Sequence, residues 1–273
     1  LFDDLEFETF GIAGWFMFPQ AIYAEMVAER PEASWVNADE ILREVMIQKS
    51  QVELECLREA AKISELGLKA IVNGIKPGMT EVQVVALATS AMLEQGAEAT
   101  GYPVWCCSGP NSNQAISRPT HRKIETGEIV QICVGAKVAG YSASIGRPLL
   151  LGKCPDAIRD FVQAGCDAES LTIELMTAGR PAAEVAQKVH DFIRNRGYGE
   201  MILYGPAHGC GQMECEYPFV ETSSNFQLEE NMTFMVDIFL ANAPMGYRWE
   251  DGVIIHKNST EQLSSFARQL IVL

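Results

Sequence analysis

The residues best suited to chemistry gather toward the C-terminal end. His208-Gly209-Cys210-Gly211 is followed by Cys215-Glu216-Tyr217-Pro218, and then by Arg248-Trp249-Glu250-Asp251. An imidazole and several carboxylates, set among glycines, are the parts of a hydrolytic site: they hold divalent ions or move protons. Each residue also has a plainer reading. His208 ends the apolar run Met201-Ile202-Leu203-Tyr204, where a histidine is often a satisfied core residue. Glu250 and Asp251 lead into Gly252-Val253-Ile254-Ile255, so they are expected to be buried, and Arg248 or Arg147 could neutralise them. Cys133 and Cys215 invite a thiol nucleophile with His208 as base. That chemistry requires thiol and imidazole in contact, which a sequence cannot display.

Composition limits the alternatives. The 273 residues are 48% hydrophobic, enough for a sizeable core, and the net charge is −15. Nucleic acid and anionic membrane are unfavoured partners, because both require a basic surface. The most apolar stretch, Phe10 to Ala28, is interrupted by Pro19, Gln20 and Glu25, so no membrane span is expected. Eight cysteines without a CxxC pair, and no visible secretion signal, read as reduced thiols in a cytoplasmic protein. Cys106-Cys107 reads as packing. The chain opens on Leu1 rather than Met, which reads as part of a longer protein.

The elements that must position these residues come from an internal repeat. Gly78 and Gly179, Val84 and Val185, and Gly96 and Gly197 share a spacing of 101 residues. Each pair of glycines brackets a helical pattern. Thr80 and Gln83 suit a capping box in the first copy, and Pro181 suits the first turn of the second. Preceding helices are predicted over 51–73 and 155–177. Strands are predicted over 128–134, 138–144, 232–239 and 252–256, with Gly135-Ala136-Lys137 as the turn between the first two. Residues 1–45 stand outside the repeat, with a strand over Gly14–Phe18, a helix over Pro19–Glu29, an exit strand at Val36–Ala38 and a link at Asp39–Arg43.

These motifs, taken in order, resemble the pita-bread superfamily of methionine aminopeptidases, prolidases, aminopeptidase P and creatinase. The resemblance runs through Lys49-Ser50-x-x-Glu53, Arg58-x-Ala60-Ala61, Ile75-x-Pro77-Gly78-Met79-Thr80-Glu81, Ser108-Gly109-Pro110-Asn111-Ser112, Arg118-Pro119-Thr120, Gly140-Tyr141, Arg147, the His208 motif, Glu229-Glu230-Asn231-Met232 and Arg248-x-Glu250-Asp251. It implies a mixed α/β (α+β) pita-bread fold, with duplicated helix–helix–strands units around a curved antiparallel sheet. Residues 46–273 would form that peptidase-like domain. Residues 1–45 would be the end of a prolidase- or creatinase-type N-terminal domain.

In the superfamily's metallopeptidases two hairpin aspartates, a histidine and two glutamates hold two metal ions. The resemblance places Cys133 and Ser144 at the aspartate positions, His208 at the histidine, and Asp237 and Glu250 at the glutamates. Asp237 is one methylene shorter than glutamate, a loss of roughly 1.3–1.5 Å in reach. No metal pair is therefore expected, and at most a single ion at His208, Asp237, Glu250 and Cys133. Ile116 and Cys215 stand where two further family histidines assist proton transfer, and isoleucine cannot do that work. His121 lies five residues further on, too far along to substitute. Creatinase works without metal but uses the histidine replaced here by Ile116.

The expected function is that of a prolidase or Xaa-Pro peptidase homologue that has left dinuclear chemistry behind. It would bind or process a small peptide or amide-like ligand in the ancestral cleft. His208, Glu216 and Glu250 are the catalytic candidates; Tyr141, Arg147, Cys215 and Arg248 are the substrate-binding ones. The alternatives are a single-metal hydrolase and a non-catalytic binding module, for which the fold has a precedent in a histone-chaperone domain. The resemblance also implies a homodimer.

Overall fold

The computed structural model describes residues 8–273 and divides into two compact units, one ending at Gln48 and one comprising Lys49–Leu273. The first unit contains β1 (Thr9–Ile12), α1 (Gln20–Glu29), β2 (Ser34–Asn37) and α2 (Asp39–Ile47). Strands β1 and β2 pair in parallel, and Phe10 stacks on Trp35 with ring centroids 4.8 Å apart. Gly14–Phe18 is not the expected strand. Gly14 takes φ +80°, Asp39 Oδ1 accepts from the Gly14 and Trp15 N–H groups, and Trp15–Met17 coil into one 3-10 turn. The expected link at Asp39–Arg43 is the first part of helix α2.

The second unit runs α3 (Gln51–Gly74), α4 (Glu81–Glu94), β3 (Ala99–Thr100), β4 (Trp105–Ser108), β5 (Ile129–Val138) and β6 (Tyr141–Leu150). It continues with α5 (Asp156–Leu175), α6 (Ala182–Asn195), β7 (Ala207–Gly209), β8 (Glu216–Val220), β9 (Thr233–Ala241), β10 (Gly246–Ile255), β11 (Thr260–Gln262) and β12 (Ile271–Val272). Its strands form one sheet in the order β3-β5-β6-β10-β9-β7-β8. Strand β4 pairs β5, β11 pairs β10 and β12 pairs β6, the last in parallel and the others antiparallel.

The repeat is visible in three dimensions. Helices α4 and α6 each span 14 residues at the 101-residue offset. Each is introduced by a positive-φ glycine whose N–H reaches a distant carbonyl at 2.8 Å: Gly78 to Ile124 and Gly179 to Leu228. The Thr80–Gln83 capping box is formed, and Ser50 with Glu53 forms another at the start of α3. One apolar cluster packs α3 and α4 residues such as Leu68, Val84 and Met92 on Ile132 and Ile145. A second packs α5 and α6 residues such as Phe161 and Val189 on Ile238 and Trp249.

The β5–β6 strands are longer than expected, and their turn lies at Ala139-Gly140 rather than at residues 135–137. Val138 pairs with Tyr141, and the two turn residues have φ of 47° and 82°, the primed geometry whose twist matches the flanking strands. Gly135 serves packing instead: a Cβ there would sit 2.9 Å from the Tyr102 ring.

Candidate active site

The sheet alternates its side chains, and that parity decides which motif residues can meet. Glu250 pairs with Gly146 on one side and with Asp237 on the other; Cys133 pairs with Gly146 across the next strand. Gly146 therefore lies between Cys133 on β5 and Glu250 on β10. A Cβ there would lie 2.8 Å from Glu250 Cβ and 3.3 Å from Cys133 Sγ. Its absence opens the gap through which Cys133 Sγ reaches Glu250 Oε2 at 2.8 Å. Ser144, two residues before Gly146 on the same face, reaches Glu250 Oε1 at 2.5 Å.

Counting hydrogens limits how this cluster can share its protons. Tyr102 donates to Cys133 Sγ at 2.6 Å, and the Cys133 thiol donates onward to Glu250. Ser144 Oγ lies 3.0 Å from Glu214 Oε1 as well as 2.5 Å from Glu250. A hydroxyl has one hydrogen, so one of its two carboxyl neighbours must bring its own. Glu214 is the neighbour whose surroundings favour the proton. Burial and then the nearby Glu250 push its carboxyl well above the usual range. Glu250 goes the other way. Burial would raise it, but Arg248, the hydrogen bond from Glu214, His208 and Cys133 bring it to about 2. Glu250 is thus an ionised acceptor at the end of two donor chains, with a protonated Glu214 beside it.

Arg248 closes the other side. Its Nη1 lies 2.9 Å from Asp237 Oδ2 and 3.3 Å from Glu250 Oε2, and its Nη2 donates to Ala115 O at 2.7 Å and Tyr204 OH at 3.1 Å. The guanidinium stands 4.4 Å from the Trp105 ring centroid. Tyr204 also donates to Asp237 Oδ2 at 3.0 Å, while Asp237 Oδ1 is buried without a hydrogen-bond partner among the described residues.

His208 sits on β7 at a register shift between it and Gly209, and its Nδ1 donates to Gly209 O at 3.0 Å. Burial would lower its pKa, but the adjacent Cys215 thiol, with Asp237 and Glu250 behind it, raises it to about 9. A cavity of about 360 Å³ opens over these groups. Tyr102, Trp105, Ile116, Tyr204 and Phe219 form its apolar walls, and His208, Glu214, Cys215, Glu221, Asp237 and Arg248 its polar ones.

Three expected site residues lie elsewhere. Glu216 is held in a buried ion pair with Lys49 Nζ at 2.7 Å. Tyr141 donates to Glu53 Oε1 at 2.5 Å and ties the hairpin to the start of α3. Arg147 follows Gly146, so it projects from the opposite face of the sheet. There it is fully buried against Asp251, with Nη2–O distances of 2.9 and 3.0 Å. His208, Cys215, Arg248 and Glu250 do come together. Glu214 was not anticipated; the sequence places two glutamates two residues apart, and only the loop geometry separates the one in the cavity from the one paired with Lys49.

Two carboxylate-bridged divalent ions do not fit the donors present. The hairpin positions carry a thiol and a hydroxyl, and both spend their protons on Glu250. The single-ion set expected at His208, Asp237, Glu250 and Cys133 is not the one that converges, and burial pushes the Cys133 thiol well above its usual range. Among the described residues, the donor atoms that come within 4.8 Å of one another belong to His208, Glu214 and Glu250.

The fold agrees with that of known proteins. Residues 55–257 match the model of metallopeptidase family M24, and the chain belongs to that family. It is 26% identical over 270 residues to a Xaa-Pro dipeptidase of Pyrococcus furiosus, covering 97% of this chain and 76% of that protein. It is 25% identical to a creatinase of a Bacillus species, covering 86% and 61% respectively. The crystal structure of an X-Pro aminopeptidase from Thermotoga maritima superposes with a TM-score of 0.94 at 24% identity, covering the whole of this chain and 76% of that one. Among the described residues no helix is long and apolar enough to cross a membrane.

Proposed function

We propose that this M24-family chain binds a small peptide or amide-like ligand in the 360 Å³ cleft and hydrolyses a C–N bond there without a metal pair. The observation that carries this reading is the carboxyl pair Glu250 and Glu214 bridged by Ser144 Oγ at 2.5 and 3.0 Å, in surroundings that favour the charge on Glu250 and the proton on Glu214. Glu214 has the proton that a leaving nitrogen needs, and Glu250 can take one from water. The proton gained by Glu250 can then pass across to Glu214 and restore the pair. Arg248 supplies positive charge beside the carbonyl oxygen, and the aromatic walls exclude water. The named activities of the relatives, a dipeptidase acting on Xaa-Pro and a creatinase, support a small ligand with a C–N bond to break.

The test is a panel of Xaa-Pro dipeptides, small amides and creatine assayed with the wild type and Glu250→Gln. Turnover lost in Glu250→Gln supports the reading. Saturable binding of the same compounds with no turnover would favour the non-catalytic binding module. A second reading rests on the convergence of His208, Glu214 and Glu250, which could accept one ion. Turnover that disappears with EDTA and returns with one equivalent of metal would favour it.

A further inference from the structure

We infer that Glu81 is a positioning residue of the cleft: its carboxylate closes the loop between Ser108 and Thr120, and that loop holds Arg248 in place. The inference rests on the reading above for what Arg248 does, and adds what keeps it there.

Three of the sequence motifs meet at this one side chain. Glu81 opens α4 and is fully buried. Its Oε1 accepts from Ser108 N–H at 2.7 Å and from Ser108 Oγ at 2.8 Å. Its Oε2 accepts from Thr120 N–H and Thr120 Oγ1, both at 2.8 Å. Asn111 Nδ2 donates between them, 3.3 and 3.2 Å from the two oxygens. Each of these partners brings a hydrogen, so the carboxylate is the acceptor that the group requires. The start of α4 adds its own unpaired donors. Glu81 N–H donates to Arg122 O at 3.1 Å, and Val82 N–H donates to Thr120 O at 3.2 Å.

A carboxylate in the first turn of a helix is often no more than a cap. Glu81 differs in where its loop leads. Ser112 Oγ accepts from Gly246 N–H at 3.0 Å, and Asn113 Nδ2 donates to Ala243 O at 3.0 Å, so the loop lies along the chain entering β10. Two residues further on, Ala115 O accepts from Arg248 Nη2 at 2.7 Å, and Ile116 forms part of the cavity wall. Residues 114–120 belong to no helix or strand. Their path is therefore set by the β10 contacts on one side and by the tie to Glu81 on the other. Glu81→Gln keeps the shape of the side chain but sets an amide N–H₂ against hydrogens already present. The loop then loosens, and Arg248 loses the carbonyl that holds its guanidinium over the cleft.

The probe is phenylglyoxal, which adds to accessible guanidinium groups, with each modified arginine located by peptide mass spectrometry. The expected result is modification of Arg248 about tenfold faster in Glu81→Gln than in the wild type, the factor that loss of one hydrogen bond to a charged group implies. Arg147, fully buried, stays unmodified in both. If Arg147 reacts in Glu81→Gln, that variant is unfolded, and Thr120→Val, which removes one arm of the tie, takes its place with the same expectation. In the dipeptide panel Glu81→Gln raises KM about tenfold, and the increase is absent when Arg248→Lys is already in place, a coupling that a general loss of stability does not produce. Unchanged reactivity of Arg248 in the folded variant overturns the inference. Dipeptide turnover with an unchanged KM in Glu81→Gln overturns it too, while leaving the hydrolytic reading intact. Faster modification of Arg248, with no compound turned over by the wild type, has the opposite meaning: the positioning role stands and the hydrolytic reading fails.

Discussion

At the level of single residues, Glu250 is set apart by what points at it. Thiol, hydroxyl and guanidinium all direct hydrogens toward one fully buried carboxylate. Glu250→Gln keeps the shape but removes the charge and the basicity, so any turnover should fall by about 10²- to 10⁴-fold in steady-state assays. His208 gives a pH prediction. Its folded pKa is raised to about 9 from 6.5, so its charge stabilises the fold fully below pH 6.5 and that contribution is lost as pH rises through 9. Thermal melts should therefore show a falling Tm between those values in the wild type and a flatter profile in His208→Gln. Arg147 belongs to stability instead. Asp251→Ala strands a fully buried guanidinium and should cost about 3–5 kcal/mol in denaturant unfolding, with no direct effect on the cleft. The sequence contained the information that would have excluded Arg147. It follows Gly146 by one residue, and in a strand that reverses the face. The motif alone suggested proximity to Glu250; the strand register was needed to turn it away.

At the level of elements, the β5–β6 hairpin governs the site. Gly146→Ala would put a Cβ 2.8 Å from Glu250 Cβ and block the gap bridged by Cys133. Ligand binding in the cleft, measured by calorimetry, should weaken far more than the overall fold. The turn offers the opposite case. Ala139 is held at φ 47°, a region that costs a residue with a Cβ roughly 1–2 kcal/mol. Ala139→Gly should therefore stabilise the protein by up to about 1 kcal/mol in chemical denaturation, part of the gain being offset by the greater freedom of glycine when unfolded. Helices were the most legible elements, because capping residues and the 101-residue repeat both mark their ends. The hairpin was less so. Gly135-Ala136-Lys137 has the composition of a turn, yet Gly135 is small because Tyr102 packs on it. Chain-local signals cannot distinguish a glycine that bends the backbone from one that makes room for a neighbour.

At the level of the whole molecule, duplication has placed the cleft where the two halves of one sheet meet. Cys133 and Ser144 come from the first half; His208, Asp237 and Glu250 come from the second. Membership of the M24 family and the architecture were legible because the motifs are spread along the chain in a fixed order. Glu214 was not legible, since its role depends on a loop that separates it from Glu216 by direction rather than by type. What the family resemblance supplied was a set of positions; the side chains now at those positions form a proton-sharing cluster around one carboxylate. The proposed function requires that these hydrogen bonds stand where the family's metallopeptidases hold ions. Its most direct test is the ion content of protein purified without chelator, incubated with Mn²⁺, Co²⁺ or Zn²⁺, dialysed, and measured by mass spectrometry. The account predicts fewer than two bound ions per chain under every loading condition. Two tightly held ions per chain, both lost in Glu250→Gln, would contradict it.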